Sequence, residues 1–275
     1  MSKRFERIER EPFGLTERDC RTLQALFEAR YLTNRMICQL MYKPTTFSWC
    51  KQRLRYLFDM GYAKKRKVHI NEPDIYFLGL RGKRYIASLG GCSQQEVERI
   101  AGVSGGVAEA PVLMMGHDLT LSSLYVDAVL GCRRNGWELH WENSRMLEIG
   151  SLGVQPDAYL RVAGKGVSQQ AFLELTAVPP TKAEMRDKLD GYRPLLEQMG
   201  GCPILWLTTS RHKLEYLKRE VAEWLYHDYV LLGLVEERSG FLTKPMWHWS
   251  EGEELVRFIR PNKVVVYRAG GQPDP

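Results

Sequence analysis

The stretch Phe47-Ser48-Trp49-Cys50-Lys51-Gln52-Arg53-Leu54-Arg55-Tyr56-Leu57-Phe58-Asp59-Met60-Gly61-Tyr62-Ala63-Lys64-Lys65-Arg66-Lys67 decides how the first third of this chain is read. Phe47, Cys50, Leu54, Leu57 and Phe58 fall near one face at helical spacing, so a helix is predicted from Thr45-Thr46 to about Met60. Gly61 ends it, because glycine accepts the left-handed conformation that closes many helices. The opposite face carries Ser48, Lys51, Gln52 and Arg55. A basic strand follows over 62–70, with a partner strand at Ile75-Tyr76-Phe77-Leu78. Asn71-Glu72-Pro73-Asp74 supplies the turn residues between them.

Working outward, Thr16 is placed to cap an upstream helix, with Asp19 at the third helical position and Leu23, Leu26 and Phe27 as its apolar stripe. Thr33 caps a short second helix presenting Met36, Ile37 and Leu40, and Pro44 breaks it. A further helix runs from about Gly82 to Leu89. Three short helices followed by a basic hairpin is the order of a winged helix-turn-helix.

Charge points the same way. Residues 1–90 hold 19 Lys and Arg against 9 Asp and Glu, while the rest hold 20 against 24. A positive surplus confined to one segment suggests a polyanion partner for it. On a helix lying in the major groove, Gln reads adenine and Arg reads guanine, while lysines contact phosphates. Ser48, Lys51, Gln52 and Arg55 are therefore the candidate DNA readers, and Lys64, Lys65, Arg66 and Lys67 the candidate phosphate contacts on the wing. The competing reading is a three-helix protein-interaction module with a solvated basic hairpin.

No apolar run approaches the roughly 18 residues a membrane span needs, and the charged start lacks a signal peptide's apolar stretch. A cytoplasmic protein without a membrane partner is expected. Its six cysteines have no zinc-site spacing and read as free thiols packed as small hydrophobes.

Past residue 90 the chain changes character. Glycines at 90, 91, 102, 105 and 106 mark a linker over 91–116, with one helical turn around Glu96 to Ala101. From His117 a helix, a strand around Trp137–Trp141, a hairpin of Pro156–Val162 with Ala171–Leu175, a helix from about Thr181 to Gln198, a buried strand Pro203–Thr208 and a helix from about Ser210 to His227 follow. That order describes a small mixed sheet with flanking helices, an α/β (α+β) domain over 117–268. The tail 269–275 is expected to be disordered.

At these residues the chain resembles a known family. Pro156-Asp157, the hairpin, and Glu174-Leu175-Thr176 resemble the core of the PD-(D/E)xK, restriction-endonuclease-like fold. From Leu15 to about Thr209 the chain is similar to the replication-relaxation family of plasmids and mobile elements. The matching pieces are Arg53-Leu54-Arg55-Tyr56-Leu57 before Gly61, Tyr76-Phe77-Leu78 before Gly82, His117-Asp118-Leu119, Pro156-Asp157-Ala158, Phe172-Leu173-Glu174, and Lys188-Leu189 before Tyr192. The resemblance implies a double-stranded-DNA-binding protein acting in replication, transfer or transcriptional control of a mobile element.

A nuclease of that fold would hold Mg²⁺ on Asp157 and Glu174, with a lysine two residues after the glutamate. Thr176 stands there instead. Lys182 and Lys188 on the following helix are the substitutes, Lys188 being better placed beside Tyr192. Asp127 and Glu142 are available as further acids. The alternative is a retired site, in which Asp157 caps its turn and Glu174 pairs with Lys188 or Arg186. The expectation is a non-catalytic platform with no resident cofactor; a Mg²⁺-dependent nuclease using Asp157, Glu174 and Lys188 is the runner-up, and a protein-interaction adaptor the third reading. Trp247-His248-Trp249 is read as covering the end of the sheet. A homodimer on a two-fold site is a further expectation, its interface in the larger domain or in the segment with Phe241, Trp247 and Trp249.

Overall fold

A computed structural model describes residues 14–67, 72–102, 112–148, 153–178, 180–250 and 255–259. Packing divides the chain into Met1–Val126 and Asp127–Pro275. The wing tip at 68–71, the middle of the linker at 103–111 and the tail at 269–275 lie outside the described residues.

The first unit opens with α1 (Glu17–Ala29). The Thr16 hydroxyl accepts from the Asp19 amide, and the Asp19 carboxylate accepts from the Thr16 amide at 2.7 Å, a closed capping box. Next come β1 (Leu32–Thr33) and α2 (Asn34–Met41), whose cap is the Thr33 hydroxyl. A 3-10 turn at Pro44–Thr46 leads into α3 (Phe47–Asp59). The expected helix start at Thr45-Thr46 is thus a tighter turn. The Thr46 hydroxyl donates to the Lys43 carbonyl instead of capping α3.

Two strands follow, β2 (Ala63–Arg66) and β3 (Ile75–Leu78). They pair antiparallel with Lys64 opposite Phe77 and Lys65 opposite Tyr76. β1 pairs on the other edge of β3, so the expected antiparallel pair is present and is extended to a three-stranded sheet in the order β1-β3-β2. A two-residue strand is too short to carry a periodic signal. Leu23, Leu26, Leu32, Ile37, Leu54, Leu57 and Ile75 are fully buried and form the core.

Then α4 (Leu80–Ser88) packs its first turn onto backbone: the Gly79 amide donates to the Tyr62 carbonyl and the Arg81 amide to the Gly61 carbonyl. The segment expected as linker holds α5 (Gln94–Ala101), closed by a Ser93–Glu96 capping box, and the start of α6 (Val112–Asn135). The division between units falls within α6, so 91–116 is not a plain spacer.

The second unit contains β4 (Glu138–Asn143), β5 (Ala158–Gly164), β6 (Val167–Thr176), α7 (Lys182–Gln198), β7 (Ile204–Thr208), α8 (Arg211–Ala222), β8 (Val230–Leu234), β9 (Trp247–His248) and β10 (Leu255–Val256). These strands form one mixed sheet in the order β10-β9-β8-β7-β6-β5-β4. The β6-β7-β8 centre is parallel and its flanks antiparallel. Every residue of β7 and β8 is buried, which explains their continuous apolar runs.

Phe172, Met185, Leu189, Tyr192, Trp206, Leu214, Leu217 and Leu232 pack together where α7 and α8 cover the sheet. The segment 228–268, unassigned from sequence, supplies three strands of this sheet. Phe241 and Trp247 are fully buried in its core, with the Trp247 indole donating to the Phe241 carbonyl at 2.8 Å, so neither offers the exposed apolar surface expected of a dimer contact. Among the described residues no helix is long and apolar enough to cross a membrane.

Candidate nucleic-acid interface and the buried carboxylate cluster

On α3, Ser48, Lys51 and Gln52 are exposed, as the helical period requires of residues opposite Cys50, Leu54 and Leu57. The Lys51 ammonium stands 4.5 Å over the Phe47 ring. Arg55 is different. Its guanidinium is 2.9 Å from the carboxylate of Asp59, one turn on, and the Asp59 side chain is fully buried. A base contact by Arg55 would have to compete with that pairing.

Lys64, Lys65, Arg66 and Lys67 are half-exposed along and just beyond β2, with Lys65 5.0 Å over the Phe58 ring. The basic cluster therefore begins on the strand itself, next to α3, and not only at the wing tip.

Another cation on α3 is structural. Arg53 grips the buried Asp19 through two nitrogens, at 2.8 and 2.5 Å. Burial alone would raise the Asp19 pKa; the bonds from Arg53 and Thr16 outweigh it and hold the carboxyl below its ordinary value.

Sequence reasoning missed Trp49, which is 67% exposed. The signal was present: Trp49, Gln52, Arg53 and Tyr56 recur at i, i+3, i+4 and i+7, a second face of α3 beside the apolar one.

In the second unit, register builds the other site. The Asp157 amide donates to the Leu173 carbonyl at 3.1 Å, and the Asp157 carboxylate accepts from the Leu175 amide at 2.8 Å. These two bonds bracket Glu174 on β6. Side chains alternate along a strand, so Glu174 shares a face with Phe172 and Thr176, the face covered by α7. Lys188 and Tyr192 lie one turn apart on α7 and meet it there. The Lys188 ammonium is 2.5 Å from one Glu174 oxygen, and the Tyr192 hydroxyl donates to the other. Lys188 also stands 5.4 Å over the Trp206 ring.

Glu174 is wholly buried. Burial and the nearby Asp157 carboxylate push its pKa up to about 7, against the pull of Lys188 and Tyr192. Burial, followed by the charge of Glu174, raises the Tyr192 hydroxyl well above its ordinary value.

The structure thus brings together Asp157, Glu174 and Lys188 and leaves the other candidates elsewhere. The Lys182 ammonium lies 3.2 Å from Glu223, and Arg186 contacts the same carboxylate at 3.4 Å. Asp127 faces Arg238 at 3.7 Å, and Glu142 pairs with His140 at 2.8 Å.

Thr176 has its own task. Its hydroxyl accepts from the buried Trp206 indole at 2.8 Å, and its carbonyl accepts from Thr208. A lysine at 176 would leave that indole N–H without its acceptor, which is costly in a dry core.

A hydrated Mg²⁺ needs open carboxylate oxygens and room for several waters. Glu174 offers neither, since each oxygen already accepts a hydrogen bond inside the packed layer. The arrangement does not fit the metal as it stands, and among the described residues no cluster of three His, Cys, Asp or Glu forms a metal-holding group. The six thiols are free, four of them buried and two half-buried. No family model, curated protein or solved structure matches the chain.

Proposed function

We propose that the chain is a double-stranded-DNA-binding protein whose first unit is a winged helix-turn-helix, and whose mixed-sheet unit serves as a non-catalytic platform. The observation that carries this reading is the exposed face of Ser48, Lys51 and Gln52 on α3 beside the half-exposed basic run Lys64–Lys67. An exposed polar helix face suits base edges, and a flanking row of cations suits phosphates. The similarity of motif order to the replication-relaxation family, with its restriction-endonuclease-like second domain, supports a place in replication, transfer or transcriptional control of a mobile element.

The platform reading rests on Glu174, whose two oxygens serve Lys188 and Tyr192. One arrangement favours the runner-up, a Mg²⁺-dependent nuclease: Lys188 reaches the carboxylate from the helix, where a displaced motif lysine would stand.

Labelled duplex DNA, incubated with the protein with and without Mg²⁺ or Mn²⁺, separates the readings. A mobility shift without cleavage is expected. Lys51→Ala and Gln52→Ala should weaken it. Neutralising Lys64 to Lys67 should also flatten its salt dependence, each lost phosphate contact removing about 0.9 from the log–log slope. Unchanged affinity and slope in that variant would refute the interface. Metal-dependent cleavage, lost in Glu174→Gln, would establish the nuclease. Neither shift nor cleavage would leave the protein-interaction adaptor.

A further inference from the structure

Beside the α3 face just described lies a groove of which the duplex reading uses only Gln52. It is bounded by the start of α1, the end of α2 with the turn that follows, and the Trp49–Tyr56 face of α3, and it encloses about 860 Å³. Three cations, Arg18, Lys43 and Arg53, and three aromatic rings, Tyr42, Trp49 and Tyr56, line it. Gln52 belongs to both surfaces.

We propose that this groove is a binding site for one nucleotide unit, its base stacked on Trp49 and its phosphate held by Lys43 and Arg18. The roles follow from what each side chain is already committed to. Asp19 holds Arg53, whose guanidinium lies 4.2 Å over Tyr56, so that pair forms a neutralised floor. The Arg18 guanidinium covers Tyr42 at 4.7 Å and is itself exposed. Lys43 is exposed in the turn that follows α2. These two bring positive charge to the rim. Trp49 presents most of its ring to solvent although it is the largest apolar side chain on the helix.

A surface that sets an open aromatic face beside two cations asks for a ligand that is flat and anionic together. A nucleotide is such a ligand, because any base has a π face and every unit has a phosphate. Size agrees: ligand pockets run from about 300 to 1,000 Å³, and a bare phosphate would leave most of this one empty. An acidic peptide would use the cations but has no demand for the ring.

The shared chemistry has two sources, a free mononucleotide or one residue of a single strand. The test uses the full chain and fluorescein-labelled octadeoxyadenylate, read by anisotropy, with dAMP, inorganic phosphate and polyglutamate as competitors. Native protein should bind the strand. Trp49→Leu and the Arg18→Ala/Lys43→Ala double variant should each weaken it about tenfold, and Trp49→Phe should keep most of the affinity because a ring is retained. Competition by dAMP assigns the site to free nucleotides; strand binding that dAMP does not displace assigns it to a single strand. Either supports the proposal. No binding of the strand, affinity unchanged in Trp49→Leu, or displacement of the strand by phosphate or polyglutamate at the concentrations used for dAMP overturns it.

Melting curves of each variant establish that it is folded, and Trp49→Phe keeps the test valid should Trp49→Leu unfold. Duplex shifts run in parallel keep the two sites apart. The Arg18/Lys43 variant should retain the duplex shift, and loss of duplex binding by Lys51→Ala should leave octadeoxyadenylate binding in place.

Discussion

Replacing Glu174 with glutamine should change how the second unit's stability depends on pH. Glutamine keeps the shape and can still accept from Lys188 or Tyr192, but it has no proton to lose. In the native chain burial raises the Glu174 pKa from 4.5 to about 7. The folded state therefore holds this proton more tightly than the unfolded chain does. Its stabilising contribution is full below pH 4.5, declines as pH rises, and is gone above about 7. At 1.36 kcal/mol per pH unit, that interval amounts to about 3 kcal/mol. Against Glu174→Gln, native protein should accordingly lose about 3 kcal/mol between pH 4.5 and 8. Hydrogen exchange of the β6 and β7 amides reads this locally, without requiring both units to unfold together. Parallel pH profiles for the two proteins, differing by less than about 1 kcal/mol in trend, would refute the reasoning. Glu174 would then be charged throughout, with Lys188 and Tyr192 outweighing its burial.

Lys188→Met should cost about 2 kcal/mol at pH 8 and clearly less at pH 5, where Glu174 is protonated and needs no counterion; the side chain is 33% exposed, so the loss falls short of that for a fully buried pair. Thermal melting at the two pH values checks this, and equal losses would contradict it. Gly82→Ala should destabilise the first unit by about 2 kcal/mol or more, because a Cβ there would stand 2.2 Å from the Tyr62 carbonyl oxygen, a backbone atom with little room to retreat. A melting temperature equal to that of native protein would show that α4 shifts freely.

Much of this architecture was legible in the sequence because its signals are local. Thr16 and Asp19 are three residues apart; the spacing marked Thr16 as the cap, and Asp19 closes the capping box although that position prefers Glu or Gln. The pairing of Ala158 with Leu173 follows from a short hairpin. What escaped depends on distance along the chain. β1 is two residues long and exists because β3, some forty positions later, offers it an edge. β9 and β10 complete a sheet whose centre is specified elsewhere, and their two-residue runs carry no period of their own.

The same divide runs through the sites. Ser48, Lys51 and Gln52 were visible as a helix face. That Arg55 is engaged by Asp59 needed the burial of Asp59, although the i, i+4 spacing hinted at it. Lys188 could be named as a partner for Glu174, but the hydroxyl of Tyr192 on the second oxygen, and the complete enclosure of the carboxylate, emerge only from the packing of α7 on β6.

The hydrogen bond from Trp206 to Thr176 couples any attempt to rebuild a lysine at position 176 to the residue at position 206. Introduced first, Thr176→Lys strands an indole N–H and forces an ammonium into a closed layer, so the chain pays in stability before any cation can act. Replacing Trp206 beforehand by a smaller apolar side chain removes the donor and opens space, but Trp206 is fully buried, so the cavity left behind costs about 3–5 kcal/mol by itself. The two substitutions should be strongly non-additive, as expected for residues in direct contact. Each single change is destabilising, and the pair should lose less than the sum of the two. A selection that samples single changes at 176 alone would therefore find the position closed to lysine, whatever benefit the pair together could bring.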